Sequence, residues 1–117
     1  MKILFLCSHS RSRSLTAEEI FQDRHETRSL ALYPEAEITE DQLQWPELII
    51  VMEDEQRKEI AKRFPGVYRR KRIISLEIPD LYQEHQPELV KQLEKAMATA
   101  TLEESQLQAP LHSSTSA

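Results

Sequence analysis

Lys2-Ile3-Leu4-Phe5-Leu6-Cys7 runs without a polar interruption into Ser8-His9-Ser10-Arg11-Ser12-Arg13-Ser14, and this junction decides the fold. An unbroken apolar run of that length, rich in β-favouring side chains, is the pattern of a strand buried on both faces. The polar stretch after it predicts a loop. A helix is then expected from Ser14 to about His25. Ser14 is a good N-cap, Glu18 and Glu19 suit the first turns, and Ala17, Ile20 and Phe21 share a face.

The same alternation continues outward. Thr27 to Tyr33 predicts a second strand ended by Pro34, and Thr39 to Gln44 a short helix capped by Thr39. Leu48 to Met52 reads as a third buried strand, and Glu53 to Phe64 as a helix stopped by Pro65-Gly66. Arg72 to Ile78 predicts a fourth strand, Pro79-Asp80 a loop, and Pro87 the start of a last helix carrying Leu89, Val90, Leu93 and Met97. From Thr99 the periodicity is lost. The expected organisation is therefore an α/β domain over residues 1–98 and a polar tail over 99–117, disordered or frayed. Strands alternating with helices predict a three-layer α/β/α sandwich around a four-stranded parallel sheet. Ligands of such sheets sit beyond the carboxyl ends of the strands, which gathers the loops after Cys7, Met52 and Ile78 around one crevice.

The bulk composition narrows the functions that such a crevice can serve. A chain of 117 residues is one domain's worth. Its net charge of −5 disfavours a general nucleic-acid binder, and the run Arg69 to Arg72 reads as a solvated turn before a strand. The single glycine, Gly66, argues against a glycine-built nucleotide fingerprint. One cysteine excludes an internal disulfide framework and points to a reducing compartment. No apolar run reaches the length of a membrane span, so the expectation is a cytoplasmic protein with no membrane partner. His25, His85 and His112 share no ligand spacing with one another or with Cys7, so neither a metal nor a cofactor is expected.

The loop Cys7 to Ser14 is where the chemistry is expected. A phosphate monoester is a dianion that needs several donors and a positive field, and a loop wrapped at a helix N-terminus supplies both. Ser8, His9, Ser10, Arg11, Ser12 and Ser14 are the candidate lining residues. The same field favours a thiolate on Cys7, and the Ser14 hydroxyl is a candidate donor to it. Arg13 offers a planar fork that matches two phosphate oxygens. The bland alternative is a buried cysteine at a strand end, acting as a small hydrophobe beside incidental arginines. Phosphoryl transfer also needs an acid for the departing oxygen. Of the four aspartates, Asp80 follows the fourth strand and is the best placed, a plain turn residue after Pro79 being the alternative. Asp54 reads as a helix N-terminal charge. Tyr82 is a candidate for the pocket mouth.

Several separated segments agree in order with one family. Met1 to Cys7, the Cys-x5-Arg-Ser loop, Thr16-Ala17-Glu18, Arg63-Phe64-Pro65, Lys71-Arg72-Ile73, Ile78-Pro79-Asp80 with Tyr82, and Pro87-Glu88-Leu89 resemble the low-molecular-weight protein tyrosine phosphatases, in a short bacterial branch. The resemblance covers residues 1 to about 98. It implies a metal-free phosphomonoester hydrolase acting on a phosphorylated protein or small aryl phosphate. Cys7 is then the nucleophile forming a phosphocysteine, Arg13 the phosphate clamp, Ser14 the partner of the thiolate and Asp80 the general acid. The chain departs from the family where Ser10 replaces an asparagine, Leu15 a proline and Ser12 a second cysteine, and where Asp80-Leu81-Tyr82 replaces Asp-Pro-Tyr. A non-catalytic domain that binds phospholigands with a degenerate loop is the alternative function. A thiol-linked arsenate reductase ranks last, because Cys7 has no second cysteine to resolve it.

Overall fold

The chain is seen in a computed structural model that describes residues 1–9, 11–33 and 38–114, with side chains as far as residue 100. Strand β1 (Lys2–Cys7) pairs in parallel with β2 (Glu26–Ala31) on one side and β3 (Leu48–Val51) on the other. Strand β4 (Arg72–Ser75) extends the sheet beyond β3, giving the order β2-β1-β3-β4. Every pairing is parallel, as the alternating pattern predicts.

The continuous apolar runs are explained by burial on both faces. Ile3, Phe5, Cys7, Leu48, Ile50 and Met52 point to one side, where they pack with Ala17 and Phe21 of α1 (Ser12–Phe21) and Leu89, Leu93 and Met97 of α5 (Pro87–Ser114). Leu4, Leu6, Ile49 and Val51 point to the other. There they meet Leu43 of α2 (Glu40–Gln44), Ile60 of α3 (Asp54–Arg63) and Val67 of α4 (Pro65–Arg70). Two apolar layers on one sheet hold the strand ends in a common rim.

Several boundaries differ from those the sequence predicts. The first helix starts at Ser12 and ends at Phe21, so Ser14 lies inside it and Arg11 is its N-cap. Pro65-Gly66 does not merely stop α3: Pro65 opens α4, because a proline at the first helical position lacks only an N–H that would be orphaned there. Strand β4 ends at Ser75, not Ile78, because Glu77 takes a left-handed φ of 56° that breaks the extended backbone. The ladder direction nevertheless persists, with the Leu76 amide donating to Val51 O at 3.0 Å and the Ile78 amide to Met52 O at 2.8 Å. Helix α5 continues past Thr99, where the apolar periodicity stops, to Ser114. Strand β2 ends at Ala31 and not at Tyr33, and the expected stop at Pro34 falls outside the described residues. Among the described residues no helix is long and apolar enough to cross a membrane.

Candidate active site

A helix start leaves backbone N–H groups without intrahelical partners. In α1 one of these belongs to Ser14, and it donates to Cys7 Sγ at 3.0 Å. The sulfur therefore fills the place of a cap oxygen, and this explains why the helix begins two residues before the serine that resembles a cap. The Ser14 hydroxyl turns instead to the carbonyl of Arg11, at 3.2 Å. The expected serine–sulfur contact is made through the amide, and the side chain of Ser14 also acts on the sulfur.

Cys7 closes β1 and is fully buried. Burial pushes its thiol above the ordinary value, the hydrogen bonds from Ser14 and the positive charge of Arg13 pull it part of the way back, and the Asp80 carboxylate adds to the rise. The expected lowering of the thiol is present but opposed here, because desolvation raises it by more than Ser14 and Arg13 lower it.

Arg13 is only 2% exposed, which an unpaired guanidinium could not sustain. Its Nη1 donates to Glu53 Oε1 at 2.9 Å and to the Ile78 carbonyl at 2.6 Å, and its Nε lies 3.8 Å from an Asp80 oxygen. One side chain thus ties together the ends of β1, β3 and β4. Asp80 is 59% exposed and Leu81 beside it 75% exposed, so the acid stands at the surface over the buried cation and sulfur.

Two residues of this cluster are not singled out by the sequence. Glu53 is the N-cap of α3, and Gln56 forms a capping box with it. The Gln56 carbonyl oxygen accepts the Glu53 amide at 2.5 Å, while its amino group, 98% buried with the rest of the side chain, donates to Ser8 Oγ at 2.7 Å. A glutamine three residues after a helix-opening acid is the visible cue, but it announces only a cap. That the same side chain also reaches the loop after β1 follows from the parallel order, not from the pattern.

The other candidate residues divide. His9 is exposed and stacks on Tyr33, ring centroids 4.7 Å apart, with the Arg63 guanidinium 5.2 Å from the Tyr33 ring. Arg11 reaches away from the loop to the Ser29 carbonyl at 3.4 Å on β2. Ser12 opens α1 and its carbonyl accepts the Thr16 hydroxyl at 2.7 Å. Tyr82 is half-buried against the core cluster of Phe5 and Leu89, which makes it packing beneath the rim. Ser10 lies outside the described residues. Asp54 pairs with Arg57 and Lys58 on its own helix and does not join the cluster.

Neither a protein-family model nor a curated protein matches the sequence. Solved structures do match. The YwlE arginine phosphatase from Geobacillus stearothermophilus shares 15% identity over 96% of each chain, with a TM-score of 0.65. The low-molecular-weight protein tyrosine phosphatase from T. tengcongensis shares 17% over 82% of this chain and 92% of its own, at 0.59. The fold is that of the low-molecular-weight phosphatases. A YwlE arginine phosphatase C7S mutant with a phosphorylated active site serine is similar too, at 19% identity over 86% of this chain and 95% of its own, with a TM-score of 0.64.

Proposed function

We propose that the chain is a phosphomonoester hydrolase of the cysteine-dependent, metal-free type. It acts on a phosphorylated protein side chain, phosphotyrosine in the first instance, through a phosphocysteine on Cys7. One observation carries the reading: the Ser14 amide points at Cys7 Sγ from a helix start, with the buried Arg13 cation and the Asp80 carboxylate both acting on that sulfur. Architecture alone would not carry it.

In the first step Cys7 passes its proton to a phosphate oxygen of the incoming dianion, and the resulting thiolate attacks phosphorus. The bond to the ester oxygen breaks, and Asp80 gives its proton to that oxygen as it leaves. In the second step water attacks the phosphocysteine, the Asp80 carboxylate takes a water proton, and the thiolate departes from phosphorus toward the Ser14 amide. Nη1 of Arg13 is taken by Glu53 and Ile78, so the Nε–Nη2 edge is the fork offered to the transferring oxygens. Ser8, held by Gln56, and the exposed His9 and Ser12 line the approach. The reaction needs no cofactor, and a cytoplasmic location fits a free thiol.

The test is hydrolysis of p-nitrophenyl phosphate in excess chelator. We expect turnover, inhibition by vanadate, and complete loss in Cys7→Ser. Turnover that survives Cys7→Ser would sink the mechanism. Peptides carrying phosphotyrosine or phosphoarginine, assayed side by side, decide the substrate class. The thiol pushed above its ordinary value supports a second reading, a domain that binds phospholigands without turning them over. Vanadate binding with no hydrolysis of any ester would favour it.

A further inference from the structure

The proposed acid sits on the long connection from β4 to α5, and the fastenings of that connection are the feature the function above does not use. At one end Ile78 is held by the Met52 carbonyl and by Arg13. At the other, the His85 amide donates to Thr16 Oγ1 at 3.0 Å, and His85 Nε2 meets the carboxylate of Glu19. Both partners belong to α1. The Thr16 hydroxyl, fully buried, passes the link on to the Ser12 carbonyl at 2.7 Å. The acid segment is thereby fastened to the same first turn that carries Arg13 and Ser14.

His85 has a left-handed φ of 61°, a conformation that a non-glycine residue keeps only when its surroundings impose it. Its Nδ1 lies 3.3 Å from the Glu84 carboxylate, so its two carboxylate neighbours stand at opposite ring nitrogens. The ring is thereby held between the two carboxylates.

The geometry points to a latch: Glu19, His85 and Thr16 are positioning residues that hold Asp80 over the phosphate loop for proton transfer to the leaving group. This rests on the phosphatase reading, and touches only its acid step. General acid catalysis matters most for a poor leaving group, so the latch should be felt on phenyl phosphate and hardly on p-nitrophenyl phosphate. Glu19→Gln replaces the carboxylate that His85 Nε2 meets, and His85→Asn removes the imidazole while keeping a residue that tolerates the left-handed backbone.

Both variants are expected to lower kcat/KM for phenyl phosphate about tenfold, and for p-nitrophenyl phosphate by less than about twofold. Added to Asp80→Asn, Glu19→Gln should bring no further loss. An equal loss on both esters, no loss on either, or a loss that persists without Asp80 overturns the latch. Should the unaltered chain hydrolyse neither ester, it is the phosphatase reading that fails, and amide hydrogen exchange then decides the latch. Exchange across residues 80–86 is expected to quicken in Glu19→Gln and Thr16→Val, and unchanged exchange overturns it.

Discussion

Cys7 carries two demands that conflict. It completes a buried apolar face, and that burial raises its thiol; it also receives the Ser14 amide and the Arg13 charge, which a nucleophile needs. The sign of the pH effect follows. A thiol that ionises at higher pH in the folded chain than in the unfolded one leaves stability intact below the ordinary thiol value of about 8.5. That stability is lost as pH rises from there through the folded value. We expect the urea midpoint to fall between pH 7 and pH 9.5 in the unaltered chain and to fall less in Cys7→Ser. Iodoacetamide should label Cys7 slowly at pH 7 in the folded chain and faster as pH rises. Arg13 is held by geometry as much as by charge. Arg13→Lys keeps the charge but cannot serve Glu53, Ile78 and a phosphate fork together, so hydrolysis should fall at least about a hundredfold. That Cys7, Arg13 and Asp80 gather in one cluster was legible in the sequence, because residue type and position after a strand both pointed to them. Glu53 was not, since the partner of a buried arginine can sit on any strand end and only the packed sheet selects one.

At the scale of elements, α3 does more than cover the sheet. Its first turn uses Gln56 as a cap and, through the other end of the same amide, as the brace for Ser8. Gln56→Ala therefore removes a cap interaction and leaves the half-buried Ser8 hydroxyl without its donor, an expected loss of about 2 kcal/mol in urea unfolding. Gln56→Glu, which keeps the cap acceptor but not the donor to Ser8, should separate the two roles by lowering activity with a smaller loss of stability. The short second helix shows how legible an element can be: Thr39 caps α2 through a full capping box, as its position before Glu40 predicts. Helix α4 and the early end of β4 were hidden for the opposite reason. Proline both stops and starts helices, and the alternating stretch to Ile78 conceals a left-handed residue at Glu77 that leaves no mark in hydropathy.

For the molecule as a whole, the parallel order was readable from alternation alone, and it puts three loops on one rim with no further instruction. How far the chain must extend to hold that rim is a separate matter. Leu89, Leu93, Met97 and Ala100 are the buried residues of α5 within the described side chains. We propose that the working unit closes there. A chain ending at Ala100 should keep its melting temperature to within a few degrees, whereas one ending at Gln92 gives up Leu93 and Met97. Each of those fully buried side chains is worth about 2–5 kcal/mol, and the shorter chain should not fold cooperatively. Circular dichroism melts of the two shortened chains, of 100 and 92 residues, decide this.

The acid-bearing connection is bracketed by Glu77 and His85, both turned to a backbone hand that ordinarily belongs to glycine. Each bend costs about 1 kcal/mol in an L-residue, and glycine at either place would relieve it while giving the unfolded chain more freedom. A lineage under pressure to persist at higher temperature has relaxation at these two bends open to it, at the expense of a looser arm for Asp80. The bends are therefore where durability and turnover in this chain should trade against each other, and Glu77→Gly, outside every contact proposed for catalysis, is the substitution in which to look for a melting temperature and a phenyl phosphate rate that move in opposite directions.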